Sequence, residues 1–143
     1  QPRSRGLGDV YKRQPKACAP LPLDAWAASS LPRAEYDVVW LIRFWPRACL
    51  VTLPSIVAPR GLIVVSHFAH DPDPRIPRRG EPYLREYTSP PIDKRIQRGE
   101  LRALLDHWDG MYGPHEILDE CIERVEDGRP VHSLVLRVHL HRL

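Results

Sequence analysis

Tyr36-Asp37-Val38-Val39-Trp40-Leu41-Ile42 and Gly61-Leu62-Ile63-Val64-Val65-Ser66-His67-Phe68 decide the fold. Both are continuous runs rich in β-branched and aromatic residues. Such runs suit strands covered on both faces, as in a parallel sheet. Between them, Trp45 to Ala58 places Cys49, Leu53, Ile56 and Val57 on one helical face. Pro54 should kink or break that helix, since a proline in a helix interior costs about 3 kcal/mol. Pro59-Arg60-Gly61 is a turn signal before the second run. Strand, helix and strand joined by a crossover of this length predict parallel pairing through a right-handed connection, and hence an α/β class.

Downstream, His70 to Pro91 is polar and proline-rich, too long for a plain connection, and is expected to be a lid-like or substrate loop, or else poorly ordered. Gly99 to Trp108 reads as an amphipathic helix through Leu101, Leu104, Leu105 and Trp108, ended by Asp109-Gly110. His115 to Val125 and Ser133 to Leu140 read as strands joined by a turn around Asp127-Gly128-Arg129-Pro130. A connection this short makes them antiparallel.

Hydrophobic content of 43% excludes a wholly disordered chain. The longest apolar runs are far too short for a membrane helix. The net charge of +3 suggests a nucleic-acid partner, but residues 1–14 hold four basic residues against Asp9, and the remainder is balanced at 17 basic and 17 acidic residues. Ser4 to Gln14 reads SRGLGDVYKRQ, which looks like a translated sequencing adapter: transposon-end DNA encodes that run codon for codon. Residues 1–14 are therefore expected to be an adapter-like tail without order, and residues 15–143 the C-terminal part of a domain whose coding sequence is interrupted before Pro15. Cys18, Cys49 and Cys121 have no CxxC spacing and read as reduced thiols. The His67, His70, Asp71 and Asp73 spacing fits no metal motif, so no metal site is expected. His107, His115, His132, His139 and His141 read as surface residues.

Two parallel strands, a helix and a terminal antiparallel pair resemble the second half of a class I S-adenosylmethionine-dependent methyltransferase, whose sixth and seventh strands form such a hairpin. Tyr36-Asp37-Val38-Val39 is similar to the start of that family's fourth strand, and Pro59-Arg60-Gly61 to the turn before its fifth. Ile42-Arg43-Phe44-Trp45-Pro46-Arg47, Arg98-Gly99-Glu100-Leu101 and Glu126-Asp127-Gly128-Arg129-Pro130 resemble segments of a tellurite-resistance-like subgroup, some members of which follow a rhodanese-like domain. The sequence departs from the subgroup at Pro46, usually His, and at Ser66-His67-Phe68, which replaces E-T-F. The glycine-rich loop after strand one and the acidic residue ending strand two are missing.

The resemblance implies a partial Rossmann-like sheet and a parent enzyme that uses S-adenosylmethionine on a small or unidentified acceptor. The chain as given is expected to be inactive without the glycine-rich loop. On the cofactor side it implicates Asp24, Ile42, Arg43 and Phe44. On the substrate side it implicates Arg47, Ser66, His67 and Phe68. Arg43 at a strand end can hold an anionic group bidentately or pair with a helix or loop carboxylate, Arg47 reads rather as structural, and His67 can act as a general base near neutral pH but reads rather as a hydrogen-bonded histidine at a strand end. No catalytic residue is assigned. The expected partner is a small molecule, with neither nucleic acid nor membrane, in the cytoplasm. The alternative is a non-catalytic α/β domain that binds a partner through an exposed sheet edge.

Overall fold

The structure, a computed structural model, describes residues 35–80 and 86–139. The strands are β1 (Tyr36–Ile42), β2 (Val57–Phe68), β3 (Arg78–Arg79), β4 (His115–Arg124) and β5 (Pro130–Val138). They form one mixed sheet in the order β1-β2-β5-β4-β3. The helices are α1 (Arg47–Leu50) and α2 (Glu100–Tyr112), with 3-10 turns at Leu53–Ile56 and Ile92–Lys94. The class is mixed α/β. Among the described residues, no helix is long and apolar enough to cross a membrane.

β1 and β2 pair in parallel from Val38↔Leu62 to Ile42↔Ser66, as the two apolar runs predict. Their expected burial on both faces does not hold for β1. Leu41 is buried, but Val38, Trp40 and Ile42 are 41%, 69% and 47% exposed. Leu41 joins a core built from Leu50, Leu53, Ile56, Leu101, Leu105 and Trp108, all supplied from one side of the sheet. The continuous apolar pattern thus marks a strand made for two layers, of which the described residues provide one.

The crossover is broken at Pro54, as expected: α1 ends at Leu50 and a separate 3-10 turn carries the proline. Val57, expected on the helical face, instead opens β2. The anticipated turn at Pro59-Arg60-Gly61 lies inside β2 as an irregularity, with the register jumping from Tyr36↔Val57 to Val38↔Leu62. Arg60 adopts φ 64° there. A Cβ on Gly61 would lie 2.7 Å from Val57 Cγ1, 2.8 Å from the Ala58 carbonyl oxygen and 3.0 Å from that of Asp37. Two of these are backbone atoms, so only glycine lets β1 and β2 approach here.

α2 overruns its expected end at Asp109-Gly110 and continues to Tyr112. A lone glycine costs a helix only about 1 kcal/mol. Gly113, at φ 89°, provides the actual stop. Trp108 Nε1 donates to the Leu50 carbonyl at 2.8 Å, which satisfies a group at the end of α1 and locks the two helices together.

β4 and β5 are antiparallel, as their short connection requires. β5 begins at Pro130 rather than Ser133 and ends at Val138, and β4 stops at Arg124 rather than Val125; Leu140 lies outside the described residues. β5 also pairs antiparallel with β2, from Leu62↔Arg137 to Phe68↔Val131. The register of β4 slips between Ile117↔Leu136 and Asp119↔Val135, leaving Leu118 as an extra residue. The bulge sets Glu120 opposite Leu134, on the core face. Part of the 70–91 stretch enters the sheet, since β3 pairs with β4 at Arg78↔Ile122.

The close packing at Gly61 yields a test. Gly61→Ala should destabilise the fold by about 1–3 kcal/mol through overpacking against backbone. Urea unfolding of the variant checks this, and an unchanged midpoint would show that the strands can part without cost.

Candidate functional site at the carboxyl edge of β1 and β2

Parallel strands leave their carboxyl ends facing one edge of a sheet, and open α/β sheets bind ligands there. At that edge, Ile42, Arg43 and Phe44 leave β1 while Ser66, His67 and Phe68 end β2. Arg43 is in the left-handed region at φ 55°, which turns the chain away from the strand. Its amide donates to the Ser66 carbonyl at 2.7 Å. Its guanidinium donates to Ser66 Oγ at 2.9 Å and lies 5.0 Å from the Phe68 ring centroid. Arg129, from the β4–β5 turn, lies 4.3 Å from the same centroid and donates to the Ser89 carbonyl at 2.7 Å. Burial, and then the charge of Arg129, lower the Arg43 pKa from its ordinary value. Ile42 and Phe44 remain exposed beside this cluster.

His67 points to the other face of β2. It is 6% exposed, and Trp45 stacks on it with centroids 6.3 Å apart. Nε2 is 2.7 Å from the Lys94 carbonyl oxygen, so Nε2 carries the proton and donates it. Nδ1 is then a buried acceptor with no hydrogen-bond partner among the described residues. Burial pushes the His67 pKa below its ordinary value, which keeps the ring neutral.

Arg47, implicated on the substrate side by the resemblance, is occupied as a strut. Its guanidinium pairs with Glu100 through Nε and Nη2, the latter at 3.0 Å, and reaches the Asp93 carbonyl and, at 2.7 Å, that of Arg95. Glu100 also accepts from Trp45 Nε1 at 3.1 Å and from the Gln97 amide at 2.8 Å. Burial pushes the Glu100 carboxyl up, but these hydrogen bonds outweigh it and hold the group below the usual carboxylate range. Arg95, 3% exposed, secures the same connection from within. It donates to the carbonyls of Pro90 and Tyr87 and stacks 3.6 Å from the Tyr87 ring. The end of the stretch expected to be a lid-like or substrate loop is therefore strapped to the sheet edge, together with the residues that follow it to 97. Asp24 lies outside the described residues.

The structure adds residues that the sequence pattern did not single out. His132, read as a surface residue, is 5% exposed and faces His67 directly across the β2–β5 pairing. Its Nε2 lies 2.9 Å from Glu120 Oε1, and that hydrogen bond holds the Glu120 carboxyl below the usual range. A legible signal existed: the alternation of Leu134, Leu136 and Val138, extended two residues back, puts His132 on the buried face. Starting the strand at Ser133 conceals it. Cys49 and Cys121 are buried, and burial pushes the Cys121 thiol up to about 11, which leaves it inert. Among the described residues, no three His, Cys, Asp or Glu side chains gather as metal ligands would.

A methyl donor at this edge would meet apolar wall rather than polar grip. Ile42 and Phe44 offer exposed surface, while Arg43 donates to Ser66 Oγ. The residues present fit one side of such a site.

Two substitutions test these assignments. Arg47→Met should lower stability by about 1–2 kcal/mol, since its pairs are charge-assisted but half exposed to solvent. Arg47→Lys should recover only part of the loss, because an ammonium cannot reproduce the forked contacts; full rescue in urea unfolding would reduce the strut to a simple charge. For His67, the unfolded chain binds a proton first as pH falls, because the folded pKa lies below the unfolded value of about 6.5. The stability of the neutral, buried ring is complete above that pH and is lost progressively as pH falls toward the folded pKa. His67→Phe should flatten the change in urea midpoint between pH 7.5 and 5.5; an equal slope in the variant would assign it to other groups.

No protein-family model and no solved structure matches the chain. It is 30% identical over 139 residues to "Uncharacterized protein UNK4.09" of Schizosaccharomyces pombe, a match that covers 91% of this chain and 37% of that protein. The chain thus spans little more than a third of the length of the curated relative it matches.

Proposed function

We propose that the chain is the C-terminal part of a Rossmann-like, S-adenosylmethionine-dependent methyltransferase whose parent acts on a small acceptor. The observation that carries this reading is the parallel pairing of β1 with β2, with the terminal β4–β5 hairpin joined antiparallel to β2 in the same sheet. That arrangement agrees with the resemblance carried by Tyr36-Asp37-Val38-Val39 and by Glu126-Asp127-Gly128-Arg129-Pro130. The exposed apolar face of Val38, Trp40 and Ile42 also supports it, because a β1 built for two layers calls for further structure on its open side.

In this reading Ile42, Arg43 and Phe44 line the donor side, with Arg43 steered by Ser66 and Phe68, whose strand end faces the acceptor. Bound S-adenosylmethionine would supply an already activated methyl group, so the protein's task is alignment more than chemical activation. This fragment alone supplies too little of the donor site to catalyse. A second reading, a non-catalytic domain that binds through its sheet edge, draws on the outer edge of β1, which has no strand beside it among the described residues.

The experiment is photocrosslinking of tritiated S-adenosylmethionine to the chain completed with its upstream reading frame. Saturable labelling, competed by S-adenosylhomocysteine, is the expected result. Absence of label at saturating donor would overturn the transferase reading in favour of the binding domain.

A further inference from the structure

The face of the sheet opposite α2 carries an arginine with no carboxylate partner among the described residues. Register sets Ile42 beside Ser66, and Phe68 follows Ser66 on the same face. Arg43 reaches onto this face. Its Nη1 donates to Ser66 Oγ at 2.9 Å and to the Ser66 carbonyl at 3.3 Å, and Cζ stands 5.0 Å from the Phe68 ring centroid. One nitrogen and one ring thus steady the guanidinium. Among the described residues, Nε and Nη2 have no hydrogen-bond partner. These two nitrogens are the fork that Arg47 closes on Glu100. Arg47, Arg75 and Arg137 each have a carboxylate to close on, and Arg43 has none.

A second positive charge stands close by. Arg129 has its Cζ 4.3 Å from the same ring centroid. It is itself engaged by Asp127 and by the Ser89 carbonyl, each at 2.7 Å, yet its charge still acts on Arg43 and lowers that pKa. Glu123 acts on Arg43 in the opposite sense, but its carboxylate accepts from Ser133 Oγ at 3.1 Å and stands 3.6 Å from Arg79 Nη1. A guanidinium keeps its proton in proteins, so the charge at the fork stays and selects for an anion. Planar, forked donors match carboxylate and phosphate oxygens in particular. The surroundings add an apolar lane: Trp40 and Ile42 alternate along β1 on this face, 69% and 47% exposed.

We propose that the Nε–Nη2 fork of Arg43 is the anion-binding element of a small-molecule site on this face, taking the carboxylate or phosphate of a ligand whose apolar body lies along Ile42 and Trp40, with Arg129 as a second positive charge. The site shares a strand end with the transferase reading but does not rest on it, since binding an anion requires no methyl donor. A titration without donor therefore succeeds or fails apart from the crosslinking of S-adenosylmethionine.

The test titrates the 143-residue chain with benzoate, with phenyl phosphate and with benzamide, an uncharged molecule of nearly the shape of benzoate, and follows arginine ¹⁵Nε resonances by NMR. At least one anion should bind about tenfold more tightly than benzamide and shift the Arg43 Nε resonance more than that of Arg47. The tighter of the two anions distinguishes a carboxylate ligand from a phosphate ligand. Arg43→Met should abolish the preference for the anion, and Arg129→Met should weaken it. The wild-type ¹⁵N readout decides the matter even if a variant does not fold. Anion affinities no better than that of benzamide, or anion shifts that bypass Arg43, would overturn the proposal.

Discussion

β5 holds the sheet together. It pairs with β2 along one edge and β4 along the other, and no other described strand joins the parallel pair to the hairpin. Its inward residues, Leu134, Leu136 and Val138, lie at the centre of the core that α2 covers with Leu101, Leu105 and Trp108. Because strand pairing fixes which residues lie opposite one another, β5 also determines which side chains meet. His132 lands beside His67 in one direction and Ile122 in the other for that reason alone.

The connection between β2 and α2 shows how polar groups shape a segment that has little apolar content. Two arginines organise it, each by gathering carbonyl oxygens. Arg47 works from the crossover and is anchored by Glu100 at the start of α2, while Arg95 works from inside and stacks on Tyr87. Planar guanidinium suits this role, since it can serve several acceptors in fixed directions while its face packs on a ring. Ile96 and Gln97, at the end of the strapped segment, line an open cavity that reaches the Glu120–His132 pair.

The two faces of the sheet differ in kind. On the α2 side, an apolar core is packed under the helix, and the polar residues admitted beside it, His67, His132 and Arg95, are held by hydrogen bonds. On the other side, Arg43 and Arg129 share the Phe68 ring, and Val38, Trp40 and Ile42 stand open. An apolar surface of this kind, continuous along one strand, is the mark of a face made to be covered.

The apolar runs of Tyr36–Ile42 and Gly61–Phe68, with a crossover between them, were enough to specify parallel strands, and the short turn around Asp127-Gly128-Arg129-Pro130 was enough to specify an antiparallel hairpin. Both follow from local pattern and chain geometry, which a sequence carries in full. The ends of α2 and β5 were less legible, because Gly110 is only mildly unfavourable in a helix and a strand's first residues are recruited by its neighbours. Pro59-Arg60-Gly61 was legible as a turn but not as an irregularity within β2, and the bulge at Leu118 was invisible, since each depends on a partner strand for its meaning. Arg43, Ser66, His67 and Phe68 could be placed at one edge from strand order alone. The fates of Arg47, which became a strut, and of Glu120, turned inward by a single extra residue, belong to the tertiary structure. Hydrogen-bond partners and facing direction are set by elements distant in the chain, and no local period encodes them.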